Sequence, residues 1–596
     1  MDERHLHDLI GQVRRGSLPR REFVARLAAC GLTAPIAGQL LLHAGVAQAR
    51  PADLYMPTQR GGGGLLRQLW WQAPTLLNPH FATGSKDLGA ARLFYEPLAT
   101  WDGDGNLLPV LAAEVPTLEN GGVARDGLSV TWKLKRGVTW HDGAPFTADD
   151  LVFNWEYARD PATAAVTIGS YQPLKMEKLD SHTVRVSFAS PTPFWADQYV
   201  TQPLLPRHVF APYAGARSRD APANLRPVGT GPYRFVEFKP GDTVRGELNP
   251  TYHMPNRPHF DRVEMKGGGD AVSAARAVLQ TGEFDFAWNA LVEDEVLRRL
   301  ESGGRGRGRA VFTTGGDIEY IMCNFADPWT EVDGERSSPN SRHPILSDPA
   351  VRQALGLLVD CEAIKAHIYG RGGEVTPNFL NNPARFNSKN RRHEFSIDKA
   401  NAVLEAAGWK RGADGIRAKD GKKLKFVFQT SINAPRQKTQ AVIKQACQRA
   451  GIDLELKSVT ASVFFSSDVA NPDTNAKFQA DIQMYTITRG SPDPGRFMEL
   501  FCSWLVASKE NKWQGRNIPR WRNDEYDRAY RAAEVELDPV RRAALFVRMN
   551  DLVCDDHAVI PVMLRHRVSA IGRGLHAPMS GWANEMQQIH DWYRES

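Results

Sequence analysis

The sequence predicts an α/β protein divided into more than one lobe. The first observation behind this is the order of patterns between residues 394 and 460: helix, turn, strand, helix, strand. FSIDKANAVLEAAGW has Ser396 placed as a helix N-cap and Gly408 near its end. LKFVFQT alternates as a strand, QKTQAVIKQACQRAG is amphipathic with a glycine stop, and IDLELKSV alternates again. Such β-α-β spacing builds α/β sheets, and ligands in those folds sit beyond the carboxyl ends of the strands. The second observation is length. A chain of 596 residues exceeds what one core organises, so two or three lobes are expected.

Composition narrows the function. With 42% hydrophobic and 24% charged residues, the chain reads as a folded soluble protein. A net charge of +6, spread along the sequence, is too mild to argue for nucleic acid. The one dense basic run, ESGGRGRGRA, carries Arg305, Arg307 and Arg309 and reads as a solvated loop.

The N-terminus reads as an export signal over residues 1–49. Arg20 and Arg21 stand in PRREFVARL, followed by the uncharged GLTAPIAGQLLLHAGVAQA. Small residues at Ala47 and Ala49 predict cleavage between Ala49 and Arg50, on the twin-arginine pathway. The stretch holds glycines, a proline, a glutamine and a histidine, a poor composition for a permanent span. The rival reading, a lipoprotein box ending at Cys30, sets the cysteine too close to the arginine pair. Beyond it lie Cys323, Cys361, Cys447, Cys502 and Cys554, an odd number with no metal-binding spacing; the sequence chooses no disulfide pair.

Along the mature chain, LLRQLWW reads as a buried strand, a helix follows within NPHFATGSKDLGAARLF, and Asp102-Gly103-Asp104-Gly105 is a turn. The most chemical-looking stretch is GVTWHDGAPFTADD, with His141, Asp142, Asp149 and Asp150 close together. Local structure accounts for all of them. Val130, Trp132 and Leu134 alternate as a half-buried strand, and Val138–Trp140 are expected as a second. Asp142-Gly143 turns the chain, Thr147 fits an N-cap, and Asp150 completes a capping box. Leu151 and Trp155, four residues apart, share one helix face. The stretch is expected to build the fold and not to catalyse.

LAAEVPTLENGG and GLSVTWKLKRGVTWHDGAPFTADDLVFNWE resemble the signature of extracellular solute-binding proteins, family 5. VGTGPYRFVEFKPGDTVRGELNPTYH, VLQTGEFDFAW, HPILSDPAVRQALGLLVDCEAI and PDPGRFMELF continue the resemblance in order, as does the run from NDEYDRAYRAA to IPVM. The resemblance implies a two-lobed periplasmic-binding-protein fold with a hinge and an inserted domain. Residues 50–92, 226–315 and 563–596 would form a discontinuous lobe I, 93–225 the inserted domain II, and 316–562 lobe III. It implies a peptide or small polar solute held between lobes, and ABC-importer permease subunits as partners. It also implies no cofactor, and the chain is expected to act as a monomer.

Tests for an enzyme fail. HExxH, GxSxG and GxxxxGK[ST] are absent. The S-x-x-K of Ser396 and Lys399 is explained by capping, and His253 and His259 flank a turn-like MPNRP and read as surface. An exported hydrolase or holdase on the same fold is the rival class; an opine, sugar or metal chelate is the rival ligand. The functional clue is DIQMYTITRGSPDPGRF. In peptide-binding relatives an aspartate shortly before the D-P pair holds the ligand's amino group. Here Thr488, Arg489, Gly490 and Ser491 stand there, without an acid. Asp493 is read as a turn starter, and Tyr485, where relatives often place tryptophan, as a pocket wall. Arg489 is expected either to meet a ligand carboxylate or phosphate, or to face solvent. Trp71 and Asn324 complete the candidate ligand-binding positions.

Overall fold

Alternating apolar side chains commit the chain to one large mixed sheet. A computed structural model describes residues 57–595, apart from 83, 104, 198, 466–469 and 583, with a few isolated positions nearer the N-terminus. Arg20, Arg21, Cys30, Ala49 and Arg50, and with them the export signal, lie outside the described residues.

The sheet has eleven strands. At one end Lys425–Ser431 pairs in parallel with Asp453–Val459 and Ile482–Ile487. At the other, Leu65–Trp70 pairs in parallel with Arg262–Gly267 and Phe286–Ala287. Two long strands, Gly308–Cys323 and Val559–Gly572, lie antiparallel in the middle and join the halves. The basic run is therefore a loop only as far as Arg307. Gly308 opens a strand, because Arg309 and Ala310 pair with Ile571 and Ala570.

The two long strands lose register between Thr314 and Ile318. At that point Gly315 bridges to Gly581. A Cβ on Gly315 would lie 2.1 Å from the Gly581 carbonyl oxygen, so only glycine allows the approach. The apolar cores separate on either side of this irregularity. One group of clusters draws on Leu66–Tyr95, Tyr233–Leu300 and the C-terminal Val568–Trp592, and also takes in Phe153, Tyr157, Leu205, Phe210, Ala221 and Ala223. Another draws on Ile318–Met563. A further cluster draws only on Leu98–Leu204 and is backed by the three-stranded sheet of Ser129–Lys133, Thr183–Phe188 and Leu174–Asp180.

Local expectations were met where one residue type leaves one solution. Ser396 caps Ile397–Ala406 by accepting from the Lys399 amide. Ala434–Ala450 ends at Gly451 with φ 82°. Thr147 and Asp150 form a reciprocal capping box on Ala148–Arg159. Val138–Trp140 is not a strand: it makes one isolated bridge, Thr139 to Pro145, because the turns at Gly137 and Gly143 leave no length for a ladder.

His141 pins this hairpin to the GTGPY segment. Its Nδ1 accepts from the Gly229 amide at 3.1 Å, and its Nε2 lies 3.0 Å from the Gly231 carbonyl oxygen. Burial pushes its pKa down to about 4, so the ring is neutral, with Nε2–H the donor. Asp142 accepts from His208 at 2.7 Å. His253 is a correction. Its side chain is 5% exposed and bonds the buried Glu96 at 2.8 Å, because a carboxylate without water needs donors. Tyr252 and Thr230 supply two more, and burial, which alone would raise the Glu96 pKa, is overcome chiefly by His253 and Arg92.

His141→Ala should cost about 2–3 kcal/mol by leaving the Gly229 amide without its acceptor, with ligand affinity unchanged by calorimetry. A folded pKa below the unfolded value means that His141 contributes stability above about pH 6.5, and that this is lost as pH falls towards 4. The variant should therefore show a shallower fall of melting temperature over that range.

Candidate functional site

Two adjoining cavities lie where the separate cores face one another. The larger, about 680 Å³, has Trp71, Lys86 and Trp288 on one wall and Ile432, Asn433 and Phe465 on the other. The smaller, about 350 Å³, lies between Thr201 and Gln202, the loop carrying Thr488–Asp493, and Asn584 and Gln587. Ser85, Thr488 and Arg567 belong to both, so the two form one cleft.

Aromatic faces build the wall of the larger cavity. Trp288 stacks on the buried Trp70 with ring centroids 4.7 Å apart and donates from Nε1 to Glu585 at 3.1 Å. Trp71 donates to the Asn289 carbonyl at 2.9 Å, fixing its ring edge. The floor is ionic. Glu319 is fully buried and takes Arg436 Nε at 2.8 Å, the Thr486 hydroxyl at 2.5 Å and Arg565 at 3.4 Å. Beside it Asp317 pairs with Arg567 at 3.2 Å and accepts the Arg489 amide at 3.1 Å. A buried charge is tolerable only when answered in this way.

The structure sorts the sequence candidates. Trp71, Thr488, Arg489 and Asp493 reach the cleft. Asn324 does not. It is fully buried, and its side-chain nitrogen donates to Ser337 and to the carbonyls of Phe478 and Ala480. Tyr485 is packed in a core against Tyr320 and Phe464, and reaches the cleft only through Phe465, 5.9 Å away. Arg489 does not face solvent: it is 3% exposed. Its terminal nitrogens donate to the Asn382 and Pro492 carbonyls, and its guanidinium lies between the Phe497 and Trp582 rings. Its fork therefore braces the loop.

Asp493 accepts from the Gly495 amide at 2.8 Å, as a turn residue does, and both Arg542 terminal nitrogens clasp its carboxylate. Burial would raise its pKa, but Arg542 holds it below the usual carboxylate range. Sequence reasoning missed Asp317, Arg436, Arg565, Arg567 and Glu585. One signal was present: VIPVMLRHRVSAIG is an apolar strand interrupted by Arg565-His566-Arg567.

The family model for bacterial extracellular solute-binding proteins, family 5 Middle, matches residues 106–508. The chain belongs to this family. A family relative, the oligopeptide-binding protein AppA of Bacillus subtilis (strain 168), is 26% identical over 531 residues, covering 87% of this chain and 90% of that protein. Two solved structures share the two-lobed fold. NikZ from Campylobacter jejuni in complex with Ni(L-His) gives a TM-score of 0.72 at 22% identity, covering 89% of this chain and 99% of that one. AppA from Bacillus subtilis in complex with a nonapeptide gives 0.69 at 23%, covering 91% and 100%. For a solute-binding protein the cleft is the natural site, since a ligand touching both walls stabilises the closed arrangement. Here the two sides of the cleft are bridged by Arg371 to Asp294 at 2.6 Å, Lys438 to Glu293 at 2.7 Å and Arg496 to Ser170 at 3.1 Å.

All five described cysteines are buried and free, with no disulfide among them.

Asp493→Asn should lower stability at neutral pH by about 3–5 kcal/mol, because it leaves the Arg542 charge buried and unanswered. A folded pKa below the unfolded value places that stability above the carboxylate range, to be lost as pH falls through it. Urea melts of variant and wild type should therefore differ at pH 7 and converge in acid.

Proposed function

We propose that this chain is the solute-capturing component of an ABC importer, taking a peptide or a related small polar solute into the cleft and presenting it to membrane permease subunits. One observation carries the reading: the walls of a single cleft come from separately packed cores, joined by two long strands that break register beneath it. A ligand held by both walls then shifts an open–closed equilibrium. Aromatic walls over an ionic floor suit a solute with apolar surface and a few fixed polar groups. AppA is named for oligopeptides, and a peptide fits that description. In this reading residues 50–92, 226–315 and 563–596 form lobe I, 93–225 the inserted domain, and 316–562 lobe III; the cluster confined to Leu98–Leu204 favours the insertion, whose Phe153, Tyr157 and Phe210 pack onto the lobe I core. Arg20 and Arg21 direct export by the twin-arginine machinery, cleavage follows Ala49, and the mature protein works in the periplasm as a monomer. Trp71 and Thr488 touch the solute, while Arg489 and Asp493 shape the loop beside it.

Native mass spectrometry of protein taken from the periplasm without refolding tests this. A stoichiometric small solute, released on denaturation, is expected. Adding that solute back at a hundred times its Kd should raise stability by about 2.7 kcal/mol. An empty protein that binds no peptide, opine, sugar or metal chelate but holds unfolded proteins in solution would point to a holdase instead. Exchanging Arg20 and Arg21 together for lysine should leave the precursor in the cytoplasm on fractionation.

A further inference from the structure

The smaller cavity is one-signed in a way the larger is not. Arg489, Arg496, Arg516 and Arg567 reach its wall, and Asp493 is the one carboxylate there among the described residues. Asp493 is clasped by Arg542, so it offers little to an incoming ammonium. Arg516 is answered by Glu499 at 2.6 Å, and Arg567 by Asp317 at 3.2 Å. Arg496 differs. Its partner is the Ser170 hydroxyl at 3.1 Å, and among the described residues no carboxylate lies within ion-pair distance of it. It stands on the short helix Gly495–Met498 and lines the cavity, while Ser170 precedes Tyr171 of the cluster built from Leu98–Leu204, so the contact joins two separately packed parts of the chain. An independent observation comes from the opposite wall. Gln587 is 4% exposed, and its side-chain oxygen has no hydrogen-bond partner among the described residues. A buried amide oxygen in this state asks for a donor, and the amide meets an oxyanion only when turned over with its NH₂ forward, so Gln587 marks a polar ligand and the arginines set its sign.

Resting on the proposed solute-binding role, we infer that the smaller cavity receives an oxyanion of the solute, a carboxylate or a phosphate-type group, and not an ammonium. Arg496 supplies the charged hydrogen bonds and Gln587 a neutral one. Arg489, engaged with two carbonyls, contributes field without contact. Four guanidinium groups against one clasped carboxylate give the cavity a positive surplus, which repels an ammonium and attracts an oxyanion.

Three tripeptide probes, all C-terminal amides so that the cap is the one oxyanion, test this by calorimetry on the mature protein: tri-alanine amide with a free amine, N-succinyl-tri-alanine amide, and N-phosphonoacetyl-tri-alanine amide. At least one acid-capped peptide should bind more than tenfold tighter than the free-amine peptide, and the stronger cap identifies the oxyanion. Arg496→Gln should cut that preference by roughly tenfold to a hundredfold, with the ligand-free melting temperature unchanged. Arg496→Lys should restore part of it. Tighter binding of the free-amine peptide, or a preference untouched by Arg496→Gln in a variant that melts normally, overturns the inference while leaving solute capture standing. Binding of none of the three at millimolar concentration also overturns the inference, while solute capture stands or falls on the native mass spectrometry.

Discussion

The pairing of Asp317 with Arg567 is the constraint on which the site depends. Both residues lie on the long central strands, beside the point where register is lost and Gly315 meets Gly581. The Asp317 carboxylate also accepts the Arg489 amide, so one side chain ties both crossing strands to the loop that walls the smaller cavity. Arg567 reaches both cavities. Burial opposes its charge, but Asp317 and Glu585 outweigh that and raise its pKa. Removing Arg567 would leave Asp317 a nearly buried carboxylate without its cation.

From this point the rest of the architecture follows. The two long strands lose register between Thr314 and Ile318 and again between Glu319 and Tyr320, and each half of the sheet has its own apolar core. Stiff bodies joined at an irregular crossing move as bodies, because packed cores resist deformation more than a short break in a ladder does. Polar contacts bridge the cleft: Arg371 with Asp294 and Glu301, Lys438 with Glu293, and Arg496 with Ser170. The partly exposed Lys438–Glu293 pair contributes about 0–1 kcal/mol, which suits an equilibrium that a solute has to tip.

Much of the fold was legible because local rules leave few choices. Ser396, Thr147 and Gly451 do what their residue types do at helix ends, and the alternation in LKFVFQT and IDLELKSV admits one structure. The site was legible only in part. The loop at Thr488–Asp493 was found, but the partners of its charges were not, since Arg542, Asn382 and Asp317 lie 49, 107 and 172 positions away in sequence. His253 looked like surface because a turn follows it, and nothing nearby in sequence announces Glu96, 157 residues earlier. Asn324 and Tyr485 are polar or amphipathic residues on inward-facing positions, where sequence does not separate a cavity wall from a core. Arg565 and Arg567 were visible as charges in an apolar strand, and their alternation was the overlooked clue.

The central claim is that the two halves close as bodies about the Gly315–Asp317 crossing to enclose a solute. The five described native cysteines are buried, and burial raises their thiol pKa values, so spin labels can be directed to Val236→Cys and Val540→Cys, both exposed in the wild type and on opposite halves. Double electron–electron resonance between them measures closure directly. The account predicts a broad or two-peaked distance distribution in the solute-free protein, collapsing to one narrow peak when the solute recovered from the native protein is returned. A single narrow peak that does not change on adding that solute would contradict it.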